Sequence, residues 1–207
     1  MGRAFFVTPV YIFSSIKAGS GKASLLASLS VFLNNTGNKV AIIDIDSSFP
    51  DKLKNSFPRS IRLHEYPDLI QIVNNNESRY QRTFYFTETD QISYFPAMNL
   101  LRPEQLFNDT GMRDFFLQTR ATFDYLLINF PAGDKFCLAA SQILTNLWQG
   151  NPPISVIVST SELQSLVKLD GITRKLPALS GHLRENTKGV FNRVPGSLEE
   201  QKLSDTA

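Results

Sequence analysis

The residues best suited to chemistry lie in one short stretch, Ser15 to Ser24, with the sequence SIKAGSGKAS. Gly19 and Gly21 allow a tight backbone turn with no Cβ in the way of an approaching ligand. Lys22 follows them as a compact positive charge of the kind that contacts phosphate. A glycine-bearing loop before a helix stabilises an anion because backbone N–H groups and the helix dipole converge on one point. The spacing therefore predicts a phosphate-binding loop.

This stretch departs at both ends from the common phosphate-loop pattern, G-x-x-x-x-G-K-S/T. Ile16 stands at the first glycine, and Ala23 stands where a hydroxyl group would hold Mg²⁺. Ser24, one position later, or a water molecule is the candidate replacement for that hydroxyl. The alternative interpretation of the whole stretch is a strand–turn–helix junction with a fortuitous lysine.

The segments around the loop predict a strand, a helix and a second strand. An apolar run from Val10 to Phe13 precedes the loop, and leucines at helical spacing follow it. Residues 39–45, KVAIIDI, form an apolar run typical of a strand buried on both faces of a parallel sheet. Asp44 and Asp46 end this run, and residues two apart on a strand point to the same side. Both carboxylates are therefore predicted to face the crevice at the carboxyl edge of the sheet, where ligands of open α/β sheets bind.

The rest of the chain continues this alternation. Residues 47–66 predict an irregular loop, 68–76 a short helix, and 84–86 and 92–95 short strands. Helices are predicted over residues 110–123 and 139–148, a buried strand over 154–159, and a helix from Ser161 that Pro177 ends or kinks.

Composition limits the classes of function. A length of 207 residues suits one domain spanning 1–207, and a net charge of +2 with dispersed basic residues predicts no nucleic-acid surface. The single cysteine, Cys137, excludes an internal disulfide framework and fits a reducing, cytoplasmic compartment. No apolar run approaches the ~20 residues that a transmembrane helix requires.

The loop resembles the deviant phosphate loop, K-G-G-x-G-K-S/T-S/T, of the ParA/MinD family of P-loop ATPases. Lys17 stands at the early lysine of that family, and Ala18 replaces one glycine. The resemblance implies that Lys17 acts in catalysis by contacting phosphate across a nucleotide-sandwich dimer. It also implies that the nucleotide phosphates lie against Lys17, Gly19, Ser20, Gly21, Lys22, Ala23 and Ser24.

Three later stretches extend the resemblance. Residues 43–46, IDID, are similar to the family's Ile-Asp-x-Asp motif, which implies that Asp44 lies near the metal and that Asp46 positions the attacking water. Residues 124–133, DYLLINFPAG, are similar to the Walker B region YDYxxxDxPAG, with Asn129 in place of the aspartate. Residues 188–193, KGVFNR, are similar to GVVxNR, which implies that Asn192 reads the adenine base. An ordinary asparagine at a strand end is the alternative for Asn192.

The two departures concern the same metal site. Ala23 removes a hydroxyl ligand, and the neutral amide of Asn129 lacks the negative charge that anchors magnesium. Asp44 remains as the candidate metal ligand for Mg²⁺, and nucleotide binding is expected to depend little on that ion.

The resemblance covers about residues 10–196 and implies a three-layer α/β P-loop NTPase fold, with a mostly parallel sheet and helices on both faces. The chain is expected to lack C-terminal elements that family members usually carry. The iron-protein branch is disfavoured because cluster cysteines are missing, and the tyrosine-kinase branch because no tyrosine-rich tail follows.

The leading functional prediction is a protein that binds ATP or ADP, hydrolyses it slowly or not at all, and acts as a positioning or scaffolding element. Its expected partners are a second copy of itself and an unidentified protein. An active magnesium-dependent ATPase with a substituted metal ligand is the first alternative. An interaction module that no longer binds nucleotide is the second.

Overall fold

The computed structural model describes residues 8–46, 52–65, 92–96, 110–133, 136–137, 153–179 and 186–192. Its strands are β1 (Val10–Ser15), β2 (Val40–Asp44), β3 (Leu63–Glu65), β4 (Ile92–Pro96), β5 (Tyr125–Ala132), β6 (Ile154–Thr160) and β7 (Thr187–Asn192). Its α-helices are α1 (Lys22–Asn35), α2 (Thr110–Thr122) and α3 (Leu163–Leu179), and one 3-10 turn covers Lys54–Ser56. Gly37, just beyond α1, has a φ of +84°, a conformation suited to glycine after a helix end.

The strands form one sheet in the order β3-β4-β2-β5-β1-β6-β7. Every pairing between these strands is parallel. The apolar run that predicted β2 is buried at all five of its positions, because the strand lies inside the sheet with both faces covered.

Helices cover both faces of this sheet. The apolar side of α1 packs into a core cluster with Phe13, Ile42 and Val156 from the strands β1, β2 and β6. Ile157 points to the other face and packs with Leu169 and Ile172 of α3. On that second face the ring of Phe95 contacts Phe115 of α2 edge to face, at a centroid distance of 5.3 Å. The predicted three-layer α/β fold is therefore confirmed.

The loop after β1 lies at the point where the direction in which successive strands are added to the sheet reverses. β1 pairs with β5 on one side and with β6 on the other. The segment from β1 leads through α1 to β2 on the β5 side, whereas the later strands β6 and β7 extend the sheet on the opposite side. Ligands of open parallel sheets bind at such a reversal, outside the carboxyl ends of the strands.

The prediction of an irregular loop over residues 47–66 is wrong in part. The 3-10 turn and the short edge strand β3 lie within that range, and β3 pairs with β4. The three residues of β3 differ in exposure and form no apolar run, so no sequence pattern predicts this strand. It forms through its pairing with β4. Helix α3 continues to Leu179 and does not end at Pro177.

Some predictions fall on other residues. The predicted helices over residues 68–76 and 139–148, and the predicted strand over 84–86, lie outside the described residues. Among the helices that the structure describes, none is both long enough and apolar enough to span a membrane.

Candidate functional site

The loop between β1 and α1 has the backbone conformation that its glycines allow. Gly19 has a φ of +81° and Gly21 a φ of +85°, both in the left-handed region that other residues rarely adopt. Gly21 precedes α1, and no side chain caps the start of this helix. The first-turn N–H groups of a helix lack intrahelical partners, so they are available to a ligand at this end.

A cleft of about 230 Å³ lies in front of this helix start. Its walls combine the loop, the carboxyl ends of β2 and β5, and the segment before the 3-10 turn. The lining residues are Ser15, Ala18, Gly19, Ser20, Gly21, Lys22, Ala23, Ser24, Asp44, Asp46, Lys52, Leu53, Ser56, Asn129 and Ala132.

Lys22 occupies the inner wall of the cleft and is only 6% exposed. Its Nζ donates a hydrogen bond of 3.1 Å to Asp46 Oδ2 and another to the backbone carbonyl of Phe130. Burial lowers the pKa of Lys22, and the neighbouring Asp46 carboxylate opposes that shift. An anion that enters the cleft therefore competes with Asp46 for the charge of Lys22.

Asp44 lies at the end of β2 and accepts three hydrogen bonds. The Tyr94 hydroxyl donates to Oδ2 at 2.7 Å, while the Asn129 amide and the Asp46 backbone N–H donate to Oδ1 at 2.7 and 3.1 Å. Burial raises the pKa of Asp44, and the donors Tyr94 and Asn129 act in the opposite direction. The carboxylate is thus held inside a buried polar network of β2, β4 and β5.

These residues do not fit a magnesium site. Both oxygens of Asp44 already accept hydrogen bonds, and Ala23 has no side-chain oxygen. The amide nitrogen of Asn129 faces Asp44, and its buried oxygen is a neutral acceptor that has no hydrogen-bond partner. Mg²⁺ demands nearly octahedral oxygen ligands, usually including carboxylates. In the described ranges no group of three His, Cys, Asp or Glu side chains could hold a metal ion.

The same residues do fit an anion. The hydroxyl oxygens of Ser15 and Ser20 are buried and have no hydrogen-bond partner, and both residues line the cleft. Each hydroxyl can donate to a phosphate oxygen. Together with the N–H groups at the start of α1 and the ammonium group of Lys22, they form the donor set that a phosphate needs.

Two predicted site residues lie beside the cleft and do not line it. The ammonium group of Lys17 forms an ion pair with Glu162, just before α3, and both side chains are partly exposed. Asn192, at the end of β7, donates from its amide nitrogen to the Ser20 carbonyl at 3.0 Å. A Cβ on Gly21 would meet this amide nitrogen at 1.8 Å, so Asn192 lies directly against the loop.

Sequence reasoning missed four polar residues of the site, namely Ser15, Tyr94, Lys52 and Ser56. A strand around Tyr94 was predicted, and the pairing of Ile42 with Tyr94 brings its ring beside β2. The sequence alone does not show that β4 pairs with β2, and this pairing is what identifies Tyr94 as a residue of the site. Lys52 and Ser56 follow β2 in a segment without periodicity, and no sequence pattern distinguishes them from surface residues.

No model of a known protein family matches the sequence, and neither does any curated protein. Solved structures do match. A ParA family ATPase from Chlorobium tepidum TLS has a TM-score of 0.62 at 18% identity, over 96% of this chain and 78% of its own. The MinD cell division protein of Aquifex aeolicus has a TM-score of 0.60 at 22% identity, over 95% and 73% of the two chains.

Two further matches differ in their described roles. The BceF tyrosine kinase domain has a TM-score of 0.64 at 18% identity, over 90% of this chain and 69% of its own. A putative plasmid partition protein from Borrelia burgdorferi B31, solved with AMPPNP, has a TM-score of 0.56 at 18% identity, over 96% and 81%. At such identities the likeness establishes architecture, and all four proteins share one architecture. The chain has the P-loop fold of the ParA/MinD type.

Proposed function

We propose that this protein binds an adenine nucleotide in the cleft, hydrolyses it slowly or not at all, and acts as a positioning or scaffolding element through protein contacts. The observation that carries the proposal is the donor set of the cleft. Lys22, the unpartnered hydroxyls of Ser15 and Ser20, and the start of α1 converge on one cavity. In this proposal the whole chain, residues 1–207, is one nucleotide-binding domain.

A nucleotide is the phosphate compound best supported by the comparisons. The Borrelia partition protein of the same fold was solved with AMPPNP, an ATP analogue. Asn192 is the proposed contact for adenine, since its position against Gly21 puts it next to the phosphate loop. ATP and ADP are both candidates, because the loop donors do not depend on the number of phosphates.

Weak hydrolysis follows from the missing metal contacts. Phosphoryl transfer in P-loop enzymes depends on Mg²⁺ held by a loop hydroxyl and an acidic strand end. Position 23 is alanine and position 129 is asparagine. Each lost transition-state contact of ~3 kcal/mol slows the reaction on the order of a hundredfold. Asp46 remains the proposed group for positioning the attacking water, and Lys17 the proposed contact from a second copy.

The proposed partners are a second copy of the chain and another protein. Aquifex MinD, which shares the fold, has also been solved in a complex with MinC. The positioning role in this proposal is an analogy with proteins of the same fold. A cytoplasmic location is part of the proposal, and a single buried cysteine, Cys137, is compatible with a reducing compartment.

Two alternative functions are each supported by one observation on the site. Asp44 and Asp46 both line the cleft, which favours an active ATPase in which Ser24 or water replaces the missing ligand. In contrast, Lys22 already contacts Asp46 and Phe130, which favours an interaction module that has lost nucleotide altogether.

Calorimetric titration of ATP and ADP, with and without Mg²⁺, separates these functions. We expect binding that depends little on Mg²⁺ and is abolished by Lys22→Ala, with folding checked by circular dichroism. Unchanged affinity in Lys22→Ala would contradict the phosphate-loop assignment, and no binding by the wild type would favour the interaction module. Phosphate release that requires Mg²⁺ and disappears in Asp46→Ala would instead establish the active ATPase.

A further inference from the structure

We propose that Lys52 binds the terminal phosphates of a nucleoside triphosphate in this cleft. Its ammonium group supplies the positive charge that a metal ion would otherwise provide. The inference rests on the proposed function and deepens it, because it identifies the positive charge that lets the site hold a triphosphate without Mg²⁺. Lys52 lies outside every motif of the sequence, yet it lines the same cleft as the phosphate loop.

The charges of the cleft explain why another cation is needed. The charged lining residues are two lysines, Lys22 and Lys52, and two aspartates, Asp44 and Asp46. Lys22 is paired with Asp46 at 3.1 Å, so part of its charge is already offset. Asp44 accepts hydrogen bonds from neutral groups, among them the Tyr94 hydroxyl and the Asn129 amide. A polyphosphate adds several negative charges to this surface, and Lys52 is the second of the two cations in the described lining.

The backbone around Lys52 is fixed to the core. Leu53, the next residue, is 1% exposed and belongs to the core cluster that contains α1. Phe57 anchors the far end of the turn in the same cluster. The Ser56 hydroxyl donates a hydrogen bond of 2.8 Å to the Lys52 carbonyl. The side chain of Lys52 therefore starts from a defined point on the cleft wall, as a binding residue requires.

Lys54 provides a matched control from the same turn. It has the same charge and is also exposed, but it pairs with Glu65 and does not line the cleft. A general effect of lowering the positive charge of this surface would appear in both Lys52→Ala and Lys54→Ala. An effect of direct phosphate contact would appear only at Lys52.

The test measures binding of ATP, ADP and AMP to the full chain by calorimetry in EDTA. We expect Lys52→Ala to weaken ATP binding about tenfold, ADP less and AMP not at all, because a charge-assisted contact to the terminal phosphates is lost. Lys54→Ala should bind all three as the wild type does. Lys52→Arg should recover most of the ATP affinity, which excludes misfolding as the cause of the loss.

The outcomes separate this inference from the proposed function. If Lys22→Ala abolishes ATP binding while Lys52→Ala leaves it unchanged, the role of Lys52 is overturned and the proposed function stands. Equal losses in Lys52→Ala and Lys54→Ala would also overturn it, as would a wild type that binds ATP only when Mg²⁺ is added. If the wild type binds no nucleotide under any of these conditions, both proposals fail together.

Discussion

Asn129 and Asp44 occupy paired positions on the parallel strands β5 and β2, and the Asn129 amide donates a 2.7 Å hydrogen bond to Asp44 Oδ1. An amide at position 129 thus stabilises the carboxylate beside it. A carboxylate at the same position would repel it and would leave both oxygens in need of a cation. An amide at position 129 therefore gives Asp44 a hydrogen-bond donor where an aspartate would give a second negative charge.

The first prediction restores the metal site with the double variant Ala23→Thr/Asn129→Asp. Without Mg²⁺ we expect lower stability, since a hydrogen bond to a charged group is worth about 1.5–3 kcal/mol and is replaced by repulsion. Mg²⁺ should recover that stability and strengthen ATP binding. Thermal melting and calorimetry with and without Mg²⁺ measure both effects. Asn129→Ala, which removes the donor without adding charge, is the control and should gain no Mg²⁺ response.

The second prediction concerns the two left-handed glycines of the loop. Gly21→Ala should cost more stability than Gly19→Ala, although their φ values of +85° and +81° are nearly equal. A Cβ at position 19 meets nothing within 4 Å, whereas a Cβ at position 21 would lie 1.8 Å from the Asn192 amide nitrogen. Both alanine variants share the backbone strain of a left-handed conformation, which is of order 1–2 kcal/mol. Urea unfolding measures the difference.

Asn192→Ala tests the cause of that difference. In the double variant Gly21→Ala/Asn192→Ala the clash is gone, so the remaining cost should approach that of Gly19→Ala. If Gly21→Ala still costs more stability than Gly19→Ala when the Asn192 side chain is absent, the contact with Asn192 is not the cause of the difference. The same variants also report on adenine recognition, since Asn192→Ala should weaken ATP binding without affecting binding of inorganic triphosphate.

Much of the fold could be predicted because its signals are local. The run that forms β2 is continuous, and the glycines and Lys22 mark the junction of β1 and α1 within a few residues. The contacts that define the site join distant parts of the chain and leave no local pattern. Tyr94 and Asp44 are 50 residues apart, and Lys17 and Glu162 are 145 apart. Only the order of strands in the sheet brings such pairs together.

The third prediction concerns self-association through Lys17. If Lys17 contacts phosphate from a second copy, ATP should raise the mass measured by light scattering, and Lys17→Ala should remove that increase without unfolding the chain. The ion pair with Glu162 holds Lys17 on its own chain, so Glu162→Gln should lower the ATP concentration required. The ion pair is exposed, and such pairs are worth only about 0–1 kcal/mol, so this second shift should be less than tenfold. Equal mass with ATP, with ADP and without nucleotide would rule out a nucleotide-driven dimer.

The fourth prediction concerns the buried carboxyl of Asp44. Burial raises its pKa above the ordinary value of about 3.9, so the folded state binds more protons than the unfolded state between these two values. The contribution of this group to stability is therefore complete below the unfolded pKa and is lost as the pH rises through the folded pKa. The Tyr94 hydroxyl donates to Asp44 at 2.7 Å and limits this loss, because it stabilises the ionised form.

Tyr94→Phe removes that donor, so it should raise the pKa of Asp44 further. Once Asp44 is ionised the variant should be less stable than the wild type by about 1.5–3 kcal/mol, the value of a hydrogen bond to a charged group. The difference should shrink as the pH falls toward the pKa of an unfolded aspartate, since a protonated carboxyl gains less from the donor. Urea unfolding across the acid range measures it. Tyr125→Phe, on the adjacent strand β5, removes a hydroxyl that does not contact Asp44 and should show no such dependence. A difference between Tyr94→Phe and the wild type that stays constant with pH would mean that Tyr94 stabilises the fold by packing alone.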